Sequence, residues 1–202
     1  MKREELLNFV KRRCSIRKYK NKSLPEAILS KIIEAGIWGP SVPSFLRIQP
    51  WRFVVVRNKI VISKLSEIIS KKSQKAPAGV NILLKAASNI VRNAQVIIAI
   101  YKTDDMEIAK RKYKELAANF GDLLNKAQLC AISASIQNMV IVAGGMNIGS
   151  CWLDMPLLCE KDINKVFKTK KQLVAFLTLG YPAEKGRRAA RKSASESVEY
   201  IK

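Results

Sequence analysis

Between Ala127 and Leu153 the chain runs for 27 residues without a charged side chain. In a protein with 37 Lys+Arg and 16 Asp+Glu among 202 residues, such a stretch has to be covered by something other than water. It is longer than the ~20 residues of a membrane-spanning helix. However, Gln128, Gln137, Asn138, Asn147, several serines and the pair Gly144-Gly145 interrupt it. A buried central helix over about Asp122–Ala143, running into a buried strand at Ser150–Leu153, accounts for the same residues.

Shorter apolar runs frame that core. Trp51–Arg57, with its Phe-Val-Val-Val centre, Val96–Tyr101 and Leu173–Leu179 read as strands. Helical spacing occurs over Glu4–Arg12, Ile60–Ser73, Ile82–Arg92 and Lys161–Phe167, and Asp104 with Glu107 marks a further helix start. Ser23, Pro25 and Glu26 make a capping box ahead of Ile28, Ile32 and Ala35. Gly36–Pro50 is a loop rich in Gly, Pro and Ser. Strands separated by helices in this order predict an α/β or α+β sandwich around one sheet. With no repeat, linker or composition break, residues 1–202 read as one domain. After Gly180-Tyr181-Pro182 a basic tail, about 183–202, has no strong pattern and either hangs free or wraps a partner.

Composition removes whole kinds of chemistry. The chain has no histidine, so Ser-His-Asp and Cys-His catalysis, His-ligated zinc and a histidine general base are impossible. Cys14, Cys130, Cys151 and Cys159 have no C-x-x-C spacing and read as reduced thiols; no metal site is expected. Met1–Arg13 is charged and amphipathic rather than signal-like, so a cytoplasmic protein without membrane association is expected. A net charge of +21 predicts a surface that attracts polyanions, anionic lipid or phosphorylated small molecules alike. The cations run from Lys2 to Lys202 and are densest at Lys11–Arg13, Lys168–Lys171 and Lys185–Lys192. Charge alone therefore does not separate a specific anionic partner from a general basic bias. No nucleic-acid motif is readable and the aromatics are not interleaved with the basic runs, so specific nucleic-acid binding is not expected.

Three segments carry candidate chemistry. Arg13, Ser15 and Arg17 alternate, so in an extended chain two guanidiniums and a hydroxyl converge on a phosphate-sized anion; a solvated basic face gives the same pattern. The loop Gly39–Trp51 holds Pro40-Ser41 and Pro43-Ser44, a stiff backbone with donors suited to the edge of a planar ligand, or simply a structural turn. Gly144–Trp152 is glycine-rich but runs from helix into strand. That is the reverse of a dinucleotide fingerprint, and a close backbone approach or a helix C-cap explains it.

In order and spacing these segments resemble the FMN-dependent nitroreductase family, whose members are NAD(P)H-dependent flavin oxidoreductases. The resemblance rests on Arg13-Cys14-Ser15-Ile16-Arg17, a Pro-Ser loop leading to Gln49-Pro50-Trp51-Arg52-Phe53, Gln137-Asn138-Met139 before Asn147-Ile148-Gly149-Ser150-Cys151-Trp152, and Leu179-Gly180-Tyr181-Pro182. It covers about residues 9–57 and 122–198. It implies a nitroreductase-like α+β sandwich, a mixed or antiparallel sheet flanked by helices, in an intertwined homodimer with flavin at the interface.

By the same resemblance, Arg13, Cys14, Ser15 and Arg17 hold the FMN phosphate and ribityl chain, and Arg188 and Arg191 of the tail complete the phosphate site. Pro40, Ser41, Pro43, Ser44, Arg47 and Gln49 reach the flavin from the other subunit. Leu153, Asp154 and Met155 lie against the ring. NADH or NADPH is the implied reductant, and a small molecule such as a nitroaromatic or quinone the acceptor. Family relatives that dehalogenate, desaturate or fragment flavin are the alternative, and a polyanion-binding protein using the +21 charge is the other. Three departures stand out. Cys14 replaces a basic residue. The loop aligns through either Pro40-Ser41 or Pro43-Ser44, and on the second alignment Arg47 takes an Asn position. Asn81 or Asn89 is the candidate for a further Asn contact.

Overall fold

The computed structural model describes residues 3–42 and 47–201. Helices α1 (Arg3–Arg12) and α2 (Glu26–Ile37) precede β1 (Trp51–Val56). Then come α3 (Lys59–Gln74), α4 (Val80–Asn93), β2 (Val96–Lys102), α5 (Asp105–Lys112) and the long α6 (Lys114–Gly145). β3 (Gly149–Leu153) passes through a 3-10 helix (Met155–Cys159) into α7 (Glu160–Phe167), β4 (Leu173–Gly180) and the short α8 (Ala194–Ser197). The four strands form one antiparallel sheet in the order β1-β2-β4-β3, which makes the architecture α+β.

β2 is almost continuously apolar because both faces of the sheet are covered. Val96, Ile98 and Ile100 cluster with Leu29 and Ile32 of α2 and Ile132, Ile136 and Met139 of α6. The alternate residues Ile97, Ala99 and Tyr101 cluster with Ile62, Leu65 and Ile69 of α3, Leu84 and Val91 of α4 and Ile163 of α7. A register shift against β4 between Ile100 and Tyr101 lets Leu173 join the second cluster while Ala175 stays in the first.

The uncharged run becomes α6 and β3. Leu124, Gln128, Ala131, Ile132, Ser135, Ile136, Met139, Val140 and Ala143 make one buried stripe at helical spacing. Over Ala118–Gly145 the helix is long and apolar enough to cross a membrane, and 44% of its most apolar 18-residue stretch is buried within the chain. Its other face, with Leu129 and Cys130, is uncovered. α2 lies close along it because Gly36 and Gly39 lack side chains: a Cβ on Gly39 would stand 2.9 Å from the Ser135 Cβ. Ser135 Oγ fixes this crossing by donating to the Gly36 carbonyl at 2.7 Å.

Three details differ from the sequence reading. Ser23 does not cap α2, whose N-cap is Pro25 without a side-chain cap bond. Glu26, the expected reciprocal partner, is instead taken by Arg57, which also donates to the Leu24 carbonyl at 2.6 Å. α6 begins at Lys114, eight residues before Asp122, because its first turns leave Phe120 and Leu123 exposed and so show no core-facing period. The tail does contain structure: Ser193 and Glu196 form a capping box that starts α8.

Candidate functional site

The segment after α1 is fixed as an extra edge beside β3. The Ile16 N–H donates to the Ser150 carbonyl at 2.9 Å, and Tyr19 bridges to Pro182. The buried Tyr19 hydroxyl donates to the Ile16 carbonyl at 2.7 Å and lies 2.8 Å from Thr178 Oγ1. The tail returns along the same segment. The Ala183 N–H donates to the Lys18 carbonyl at 2.9 Å, and the Glu184 carboxylate accepts from the N–H groups of Arg17 (2.7 Å) and Lys18 (3.2 Å). Gly186 then packs on Cys14 so closely that only a glycine fits.

Around Cys151, at the middle of β3, several predicted residues gather. The Cys151 thiol donates to the Trp152 carbonyl at 3.8 Å, and Ser15, Arg17, Asp154 and Glu184 all act on its ionisation. Burial pushes this thiol up; Arg17 and Ser15 oppose that, while Glu184 and Asp154 add to it. Asp154 itself accepts from the Trp152 indole N–H at 2.8 Å. Leu153 is buried, and half-buried Met155 opens the 3-10 helix. The phosphate segment and the ring segment inferred from sequence thus meet here.

Arg13 and Cys14 line a neighbouring cavity of about 480 Å³ between α1 and the end of α6. Phe9, Val140 and Ile148 give it an apolar wall, and Arg12 supplies a second guanidinium. The pair Gly144-Gly145 ends α6 against Phe9, whose ring would lie 3.3 Å from a Cβ on Gly145. Ser15 and Arg17 are not among the residues lining this cavity, so the expected trio is shared between two adjoining places.

The other predicted residues lie elsewhere. Arg188 sits beside Asn8, Lys11 and Arg12 of α1. Arg191 is exposed, and its guanidinium donates to the Ala189 and Ala190 carbonyls at 3.5 and 3.3 Å. Pro40 and Ser41 follow Gly39 at its contact with α6, where the Asn138 amide donates to the Trp38 carbonyl at 3.3 Å; neither lines the cavity. Pro43 and Ser44 lie outside the described residues. Arg47 and Gln49 are exposed, and Arg47 adopts a left-handed backbone with φ 52°.

Arg12, Glu184 and Gly186 were missed. Arg12 was hidden in a basic run, whereas Glu184 carried a signal, being the only acid between Asp162 and Glu196.

The donor set suits a phosphorylated ligand. Among the described residues, no ion pair neutralises Arg12, Arg13 or Arg17. Three planar cations within six residues, two of them on a partly apolar cavity, fit the phosphate end of a flavin mononucleotide.

Comparison with known proteins identifies the family. A sequence model described as the Nitroreductase family matches residues 10–181. A provisionally named NADH dehydrogenase/NAD(P)H nitroreductase of Methanothermobacter thermautotrophicus is 27% identical over 184 residues, 89% of this chain and 78% of that one. The iodotyrosine deiodinase of Hydra vulgaris is 28% identical over 192 residues, 85% of this chain and 63% of its own. The crystal structure of a provisionally named nitroreductase in complex with FMN, from Desulfovibrio desulfuricans, shares the fold at a TM-score of 0.71 and 24% identity, covering 97% of this chain and 96% of that one.

Proposed function

Because the chain belongs to the nitroreductase family, we propose that it is an FMN-dependent oxidoreductase passing electrons from NADH or NADPH to a small acceptor such as a nitroaromatic or quinone. The observation that carries this reading is the set Arg12, Arg13 and Arg17, which forms no ion pair among the described residues, beside Ser15 and Asp154. When bound, FMN supplies the hydride chemistry, accepting from reduced nicotinamide and donating to the acceptor. The chain's own task is to hold and shield. Arg13 and Arg17, with Arg188 and Arg191 from the tail, grip the phosphate, and Ser15 adds a hydroxyl donor. Leu153, Asp154 and Met155 present a partly buried backbone edge that keeps water from one side of the ring. With no histidine available, guanidiniums and backbone donors balance negative charge.

The working unit is a homodimer of one domain per chain, with the start of the tail seated on its own chain and the part beyond Arg188 wrapped on the partner. A monomer of 22.7 kDa exposes about 9,500 Å² by the usual size scaling, whereas this chain exposes 13085 Å². Leu6, Leu7 and Val10 of α1, Trp38 and Leu129 of α6 are among the exposed apolar residues. In the dimer, the loop of either Pro40-Ser41 or Pro43-Ser44, with Arg47 and Gln49, completes the site from the second copy.

The test is an anaerobic titration of the purified protein with added FMN. Visible flavin bands that bleach with NADH or NADPH support the reading, and absence of flavin bands after FMN addition overturns it. Similarity to the deiodinase favours a second reading, reductive removal of halide from a halogenated phenol. Iodide release from iodotyrosine by the reduced protein, without turnover of nitroaromatics or quinones, would select it.

A further inference from the structure

On the face opposite α6, a groove of about 900 Å³ runs between α3 and the 3-10 helix with α7. Its α3 side consists of Lys64, Ile68, Lys71, Lys72 and Lys75, which at i, i+4, i+7, i+8 and i+11 form one stripe. The floor is apolar: Leu157 and Leu158 are 37% and 49% exposed on the 3-10 helix, and Ile68 and Val166 flank them. Lys161 and Lys165 close the opposite rim.

The groove holds a large surplus of positive charge. Of its two carboxylates, Asp162 is paired with Lys165 at 2.8 Å, and Glu160 accepts the Leu173 N–H at 2.7 Å. Among the described residues, no ion pair takes Lys64, Lys71, Lys72, Lys75 or Lys161. The fold does not require the lysines of this stripe, because α3 packs inward through Ile62, Leu65 and Ile69, with Ile68 partly buried against the same core.

We infer that this groove docks an acidic amphipathic helix of a partner protein, its carboxylates on the two lysine rims and its apolar side chains on Leu157, Leu158 and Ile68. Three features select that occupant. From Lys64 to Lys75 the rim spans about 16 Å of helix, too long for one phosphate. The lining contains no aromatic to stack a base and no arginine to chelate a phosphate, so it does not suit a nucleic acid. The leucines lie in a concavity between the rims, where a helix can reach them.

The experiment uses the full chain and a fluorescein-labelled 18-residue peptide with Glu and Leu at amphipathic helical spacing, read by anisotropy. Comparison probes are a scrambled peptide of the same composition, an 18-nucleotide oligo-dT and anionic phospholipid vesicles. Lys71→Glu/Lys72→Glu/Lys75→Glu and, separately, Leu157→Ser/Leu158→Ser should each weaken peptide binding tenfold or more. Lys20→Glu/Lys85→Glu/Lys170→Glu, an equal charge change at exposed sites outside the groove, should change it less than twofold. Unchanged melting temperatures verify that the variants are folded. Equal binding of the scrambled peptide, equal loss in the control variant, or tighter groove-dependent binding of oligo-dT or vesicles would each overturn the assignment.

Discussion

Gly186→Ala tests whether the tail is seated on the phosphate segment. A Cβ on Gly186 would stand 2.1 Å from Cys14 Sγ, 3.0 Å from Cys14 Cβ and 2.9 Å from Ile16 Cδ1. Nonbonded heavy atoms rest at about 3.5–4.0 Å, so the overlap with sulfur exceeds ~1 Å. Neither neighbour yields easily: Ile16 is 7% exposed, and the Cys14 sulfur is one bond from the backbone-linked Cβ. Overpacking of this kind costs about 1–3 kcal/mol. If the tail unfolds with the rest, that lowers the melting temperature by roughly 2–12 °C for a chain of this length. If the tail peels away first, the melt changes little. Trypsin then cuts earlier at Lys185, Arg187 and Arg188, and FMN affinity falls because Arg188 and Arg191 are released. In Gly186→Ala/Cys14→Ala the sulfur contact is gone but those at 2.9 and 3.0 Å remain, so recovery should be partial, with a coupling above about 0.5 kcal/mol. A Gly186→Ala protein matching the parent in melting, proteolysis and FMN titration would refute the packing of tail on cradle.

Four further outcomes are expected. Arg17→Ala should weaken FMN binding at least tenfold in a fluorescence titration, since charge-assisted bonds are worth about 1.5–3 kcal/mol each; unchanged affinity means the phosphate lies elsewhere. Burial holds the Tyr19 and Tyr101 phenols above their ordinary value near 10. The unfolded chain therefore ionises first, and stability that is complete below pH 10 is lost as pH rises beyond it. Melts between pH 8 and 11 should show a smaller alkaline drop in Tyr19→Phe, alongside a neutral-pH cost of about 0.5–1.5 kcal/mol for the lost hydrogen bond. Gly39→Ala, whose Cβ would meet the Ser135 backbone at 3.1 Å, should destabilise by about 1–3 kcal/mol and, by moving the Pro40-Ser41 loop, weaken FMN binding. Arg47→Asn should raise the melting temperature by relieving a left-handed conformation that costs a side chain such as Arg about 1–2 kcal/mol.

The strands and most helices were legible because burial on two faces or one leaves a periodic signature, as in Val96–Tyr101 and the stripe of α6. Signals that depend on which partner wins were not. Ser23-Pro25-Glu26 has every letter of a capping box, yet Arg57 from a distant strand end takes the carboxylate. At the site, the Arg13-Ser15-Arg17 spacing marked a segment that the fold lays beside β3. It did not indicate that the cavity takes Arg12 and Arg13 while Ser15 and Arg17 turn to Cys151. The family departure at Cys14 also has a structural counterpart: a thiol there leaves room for Gly186, where a longer basic side chain would have to displace the tail.

The two kinds of cation are distributed differently, and the difference separates two uses of one large charge. Six of the twelve arginines fall within residues 12–17 and 187–191. The fold lays the start of these stretches together, Gly186 on Cys14 and Arg188 beside Arg12. The groove at α3 has six lysines and no arginine. A guanidinium offers a fixed planar fork to one phosphate, whereas an ammonium on a flexible stem serves a row of movable carboxylates. Net charge alone predicts neither arrangement. Lys-for-Arg exchange at positions 13 and 17 should therefore impair FMN binding even though charge is conserved, while Arg-for-Lys exchange at 71 and 72 should leave the acidic-peptide affinity nearly unchanged.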